Sequence, residues 1–141
     1  MTSTGTAARV IADFCRNNVR ARSARPLGAG EIAMVAFLYD EDGEHTSVEV
    51  ASRFNVSKPA ISKVVESLEK RGLLVKERTL KDKRAFILRL TEEGRSLAKD
   101  IGDEFERSAN ILRERIGKEE FDRFIEVMEI ANGIIDEELA R

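Results

Sequence analysis

Cysteine and histidine are nearly missing from this chain: one of each, Cys15 and His45, in 141 residues. A lone cysteine excludes an intrachain disulfide and makes the cytoplasm the expected compartment. A zinc site built from histidine and cysteine needs more ligands than these two. A serine or cysteine nucleophile with a histidine base would have to use His45, and no nucleophile motif surrounds it. No glycine-rich phosphate loop is present, so nothing favours an enzyme, and neither a cofactor nor a metal is expected. No apolar run approaches the roughly 18–20 residues of a membrane span. The first residues, Met1 to Thr6, lack the basic start and apolar core of a signal peptide. With 2 prolines and 9 glycines there is little room for disorder, and no repeat or low-complexity stretch is visible.

What the chain does have is charge. Charged residues make up 35% and hydrophobic ones 42%, the balance of a soluble globular domain. Lysine and arginine number 24 and the acids 26, for a net charge of −2. That total alone argues against nucleic acid, but a total does not say where charges sit. Residues 1–26 are net +4, 27–57 net −5, 58–89 net +6 and 92–141 net −7. A basic island lies between two acidic regions.

The apolar spacing outlines the elements. Val10, Ile11, Phe14 and Val19 follow a helical period between Ala7 and Arg22, with arginines on other faces. Ser23 to Gly28 breaks that helix with Pro26 and Gly28. Glu31 to Tyr39 is a dense apolar stretch that fits a short buried helix, stopped by the turn at Asp40 to Glu44. Thr46-Ser47-Val48-Glu49 reads as a capping box, the Thr46 hydroxyl bonding the Glu49 amide and the Glu49 carboxylate reaching back. The helix it opens buries Val50, Ala51 and Phe54 and ends near Asn55. Ser57 is a good N-cap for the next helix, with Pro59 in the first turn, where a missing amide costs little. Ile61, Val64, Val65 and Leu68 recur at i, i+3, i+4 and i+7, and Lys70-Arg71-Gly72 ends the run. Leu73 to Val75 and Ala85 to Leu90 are strand-like, joined by a charged tip from Lys76 to Arg84. Thr91 caps a helix carrying Leu97, Ile101, Phe105, Ala109, Leu112 and Ile116. After Gly117 a last helix carries Phe121, Phe124, Ile125, Met128, Ala131 and Ile135.

A short helix, a tight turn, a second helix that starts with small and basic residues, and a basic hairpin make a winged helix-turn-helix. The predicted fold is mainly α with a small β-hairpin wing, flanked by N- and C-terminal helices. The second helix turns its apolar stripe inward. Lys58, Ser62, Lys63 and Arg71 stay off that stripe, and Ser57, Pro59 and Ala60 sit at the exposed start. A helix in the major groove presents its N-terminal residues to base edges, and the positive end of its dipole faces phosphates. Lys81, Lys83 and Arg84 at the hairpin tip are placed to reach phosphates or a minor groove. Arg71, Lys76 and Arg78 have weaker claims. Double-stranded DNA is the expected partner. The amphipathic terminal helices need cover for their stripes, and a second copy of the chain is expected to provide it through Val10, Ile11, Phe14 and the last helix.

The run from Thr46-Ser47-Val48-Glu49-Val50-Ala51 through Ser57-Lys58-Pro59-Ala60-Ile61-Ser62-Lys63-Val64-Val65 leads on to Leu68-Glu69-Lys70-Arg71-Gly72-Leu73-Leu74. It continues through Lys81-Asp82-Lys83-Arg84-Ala85 to Leu90-Thr91-Glu92-Glu93-Gly94. In this order and at these separations, the chain resembles the MarR (multiple antibiotic resistance regulator) family from Leu27 to Gly94. The resemblance implies one MarR-like domain over 1–141. Residues 1–26 and 95–141 would be its dimerisation helices and 27–94 its winged lobe. It implies a homodimeric transcriptional regulator, a repressor rather than an activator, that binds a pseudopalindromic operator and is released by a small-molecule effector. Asp82 and Arg84 match the family's Asp-x-Arg in the wing, where the carboxylate orients the guanidinium toward DNA. Where relatives often carry hydroxyl residues, this chain has Pro59 and Ala60, which offer a thymine methyl apolar contact but no hydrogen bond. A small aromatic or phenolic effector is implied between dimer domain and lobe, with Phe14, Arg16, Met34 and Phe37 as lining residues.

Two other readings stand beside this one. A winged helix used only for protein interaction would tolerate alanine at Lys58, Lys63 and Arg84. A redox-responsive regulator would act through Cys15, since part of the family senses organic hydroperoxides by a cysteine near the first helix. That mechanism leans on nearby tyrosines, and this chain has only Tyr39, so a plain thiol is the expectation. His45 reads as a solvated turn residue. Family members that sense zinc use several histidines and glutamates, and with one histidine this chain is poorly suited to that route.

Overall fold

A computed structural model describes residues 1–21, 27–78 and 86–141, without the side chains of 19–21. The break at Ser23 to Pro26 and the wing-tip residues Lys81, Asp82, Lys83 and Arg84 lie outside the described residues. The elements are α1 (Thr4–Ala21), α2 (Ala29–Asp40), β1 (His45–Thr46), α3 (Ser47–Arg53), α4 (Lys58–Lys70), β2 (Leu74–Arg78), β3 (Phe86–Leu90), α5 (Glu92–Ile116) and α6 (Lys118–Leu139). This is the mainly helical winged fold that the spacing predicts. No helix among the described residues is long and apolar enough to cross a membrane.

Side-chain hydroxyls cap the helices of the winged lobe that follow α2. The hydroxyls of Thr46, Ser57 and Thr91 accept from the amides of Glu49, Ala60 and Gly94 at 3.1, 3.3 and 3.0 Å. Each cap satisfies an amide that the first turn leaves without a helical partner. Between α3 and α4, Asn55 takes a left-handed φ of 51°, a conformation that asparagine tolerates better than most residues. The amide of Val56 then closes the turn onto the carbonyl of Ala51 at 3.1 Å.

Helix α2 is apolar nearly all round, and it lies at the centre of the lobe against α4 and α5. Met34, Val35, Val50, Leu68 and Leu74 are fully buried there, with Ile61, Val65, Leu88, Ala98 and Ile101 closing the core. Ala98 and Ile101 belong to α5, so that helix begins inside the lobe and runs out of it unbroken to Ile116. The expected lobe boundary at residue 94 falls in its first turn.

Three expectations change. The wing hairpin is a three-stranded antiparallel sheet in the order β1-β3-β2, because His45 and Thr46 pair with Leu88 and Ile87. This pairing carries His45 out of the solvated turn where the sequence places it. Its partner Leu88 faces the core, and His45, in register with it, is buried too. The capping box is also half formed: Glu49 supplies its amide to Thr46, but its carboxylate turns to His45 Nδ1 at 3.1 Å.

Candidate nucleic-acid interface

Ser57, Lys58, Pro59, Ala60, Ser62 and Lys63 are all exposed, on the outer face of the first half of α4. The stripe of Ile61, Val65 and Leu68 anchors the opposite face in the core. One amphipathic helix thus fixes the direction in which six candidate contact residues point. Ser57 is engaged as N-cap, so its hydroxyl is held at the mouth of the helix beside the free amides of the first turn.

The basic island sorts into two populations. Lys70 pairs with Glu66 at 3.6 Å, Arg71 with Glu31 at 3.5 Å and Lys76 with Glu69 at 3.3 Å. Arg89 holds Glu77 at 2.8 Å and Glu44 at 2.7 Å, and these partners raise its pKa above the ordinary arginine value, hydrogen bonding to Glu77 first. Lys58 and Lys63 form no ion pair with a described acid. Exposed pairs contribute only about 0–1 kcal/mol each, yet each one cancels a local charge. Among the described residues, Lys58 and Lys63 thus leave unmatched positive charge in the first half of α4, where the helix dipole adds to it. Arg78 also lacks a described acid and lies over the Phe86 ring, 5.9 Å from its centroid, with Lys76 over the same ring at 5.0 Å.

Beside this helix the structure adds a residue that the sequence reading missed. Ser47 and Val48 of α3 join Lys58, Ile61 and Ser62 of α4 and Phe86 of β3 around a cleft of about 170 Å³. Val48 is an exposed apolar residue in the first turn of α3, off the face that carries Val50 and Ala51. Its position off the buried stripe is the signal that was available.

The effector candidates are not brought together. Met34 is wholly buried in the lobe core and Phe37 is nearly so, its ring packed on His45 and Phe54. Arg16 is paired with Asp13 on its own helix. Phe14 lies elsewhere, edge-on to Phe124 at 5.7 Å. It lines an apolar groove of about 450 Å³ between α1, α5 and α6, with Phe105, Leu112, Phe121 and Met128. Cys15 is exposed at the same groove. No group of three or more metal-ligating side chains occurs among the described residues.

A sequence profile of the MarR family matches residues 27–85. The HTH-type transcriptional regulator FarR of Neisseria gonorrhoeae is 30% identical over 82 residues, 58% of this chain and 56% of FarR. The HTH-type transcriptional repressor YetL of Bacillus subtilis is 27% identical over 108 residues, 75% of this chain and 64% of YetL. The chain thus spans between about half and two thirds of these regulators. Among solved structures, the transcriptional repressor CouR bound to a 23-mer DNA duplex shares the fold, with a TM-score of 0.79 at 23% identity over 92% of each chain.

Proposed function

We propose that this chain, whose residues 27–85 match the MarR family profile, belongs to that family and is a sequence-specific, DNA-binding transcriptional repressor that acts as a homodimer. The observation that carries this reading is the set of lysines at the start of α4. In an island where most described bases are matched by acids, Lys58 and Lys63 are exposed and unmatched by a described acid. They flank the N-terminal turn that a recognition helix offers to a major groove. CouR in its DNA complex and the repressor YetL lend support by likeness.

In this reading Ser57, Lys58 and Lys63 contact phosphates or base edges, Ser62 reads a base edge, and Pro59 and Ala60 pack on thymine methyls. Lys81, Lys83 and Arg84 engage the flanking backbone or minor groove, with Asp82 orienting Arg84. The dimer forms through residues 1–26 and 95–141. Helix α6 has no buried residue and leaves Val127, Ile130 and Ile134 exposed along one stripe, and α1 exposes Val10 and Ile11. Two copies place two recognition helices on half-sites about one helical turn apart. Release by a small aromatic or phenolic molecule completes the proposal. For it the groove at Phe14 offers space, whereas Met34 and Phe37 are already packed.

A mobility-shift titration against the DNA upstream of its own gene, over a range of salt, tests the core of this. Binding is expected to fall steeply with salt, and Lys58→Ala with Lys63→Ala to weaken it while lowering the log–log salt slope by about two units. A wild-type affinity unchanged in the double variant would leave the protein-interaction reading in its place.

A further inference from the structure

His45 is the chain's single histidine, and among the described residues it is the one buried polar side chain. Its ring stands edge-on to Phe37, centroids 4.9 Å apart. Both ring nitrogens are engaged. Nδ1 lies 3.1 Å from Glu49 Oε1 in the first turn of α3, and Nε2 lies 3.3 Å from the backbone carbonyl oxygen of Glu41, just past the end of α2. An ionised carboxylate and a carbonyl oxygen are both acceptors only. A neutral imidazole owns one N–H and satisfies one of them, whereas the imidazolium owns two and satisfies both. The arrangement is therefore complete only when the ring is charged.

We propose that His45 is a protonation-dependent clasp that, when charged, ties the end of α2 to the start of α3 and holds the helix-turn-helix in its DNA-binding pose. The clause about DNA rests on the function proposed above; the clasp itself does not. Helix α3 passes the constraint on, because the Val56 amide bonds Ala51 and so sets the turn into α4. On loss of the proton one end opens, leaving either the Glu41 carbonyl or the Glu49 carboxylate without its donor.

The neighbouring charges leave Glu49 as the counter-ion. On α3, Arg53 is drawn to Glu41 at 3.4 Å and to the Phe37 ring at 5.2 Å. Asp42 adds a backbone hydrogen bond from the loop, and Glu44 is held by Arg89. On β3 the register partner Leu88 is apolar, and Arg89 points to the opposite face of the sheet, bound to Glu77 and Glu44. Burial of the ring opposes its charge. The hydrogen bonds to Glu49 and to the Glu41 backbone and the attraction of the Glu49 charge outweigh that, so His45 titrates above the ordinary value. A raised folded-state pKa means that the added stability is fully present below about pH 6.5 and is lost as pH rises through the folded value.

With one histidine in the chain, its imidazole resonances in the full-length protein report this site alone. They are expected to titrate above about 6.5, and titration at or below that value overturns the clasp. Thermal unfolding at about pH 6 and about pH 8.5 brackets the transition. The wild-type midpoint should fall across that window more than those of His45→Gln and Glu49→Gln. The glutamine amide at 49 either donates or accepts, so it suits the neutral ring and removes the need for a proton. An undiminished fall in Glu49→Gln, or in His45→Gln where that variant folds, overturns the proposal. DNA affinity at the same two pH values and fixed salt reads the coupling: several-fold tighter at the lower pH for wild type, nearly level for Glu49→Gln. Equal ratios in both overturn the coupling to DNA. DNA binding absent at either pH, with titration and stability as expected, refutes the proposed function and leaves the clasp standing.

Discussion

At Gly94 a single missing methyl group decides whether α5 can start where it does. A Cβ there would lie 2.0 Å from the backbone carbonyl oxygen of Leu73, and backbone cannot step aside as a side chain can. The same junction is held by the Thr91 amide on Leu73 O at 3.0 Å and by the Thr91 hydroxyl donating to Gly72 O at 2.7 Å. Gly94→Ala is expected to lower stability by about 1–3 kcal/mol through forced displacement of one segment, read as a lower midpoint in urea with an unchanged slope. In the core, Leu68→Ala should cost about 2–5 kcal/mol because the fully buried site leaves a cavity on truncation. His45 marks the limit of residue-level reading. Beside an acidic turn it looks solvated, and only the pairing with Leu88, more than forty positions away, buries it. Glu49 was legible as a capping partner by its amide and illegible by its carboxylate, for the same reason.

At the scale of elements, the periodic ones were legible and the short or paired ones were not. The i, i+3, i+4, i+7 pattern of Ile61, Val64, Val65 and Leu68 fixes both the existence of α4 and the face it turns outward, which is most of the candidate interface. Two residues of β1 carry no period at all. The island of bases was visible as a sum, but its division into matched and unmatched cations was not. Glu31 with Arg71 and Glu44 with Arg89 join positions far apart in the chain. Helix ends were legible where a hydroxyl or a glycine marks them. Thr91→Ala removes the α5 cap and the bond to Gly72 O together. It is expected to cost about 1 kcal/mol or somewhat more, measured by thermal unfolding against the single-cap variant Ser57→Ala.

For the whole molecule, the apolar side chains left uncovered matter more than those in the core. Val127, Ile130 and Ile134 share one stripe of α6, and none has a covering element among the described residues. Burying an isoleucine contributes about 1.5–3 kcal/mol, so a few such contacts repeated by symmetry would suffice to hold the proposed pair. Ile130→Glu with Ile134→Glu is expected to shift the protein from dimer to monomer in sedimentation while the winged lobe keeps its fold. In the proposed function, DNA affinity should fall steeply with it, since one copy would engage one half-site. A double variant that still sediments as the wild type does would move the interface away from this stripe.

Helix α5 joins the two ends of the molecule as one piece, 25 residues without a break, with its first turns set in the lobe core. At about 1.5 Å per residue it is about 37 Å long. Such a rod converts angle into distance: a tilt of about 10° at one end sweeps the other by about 6 Å, more than a full turn of its own pitch. The junction at Gly94 and Thr91 is then a fulcrum. In the proposed dimer, small repacking there would be geared up into a large change in how far apart the two lobes stand.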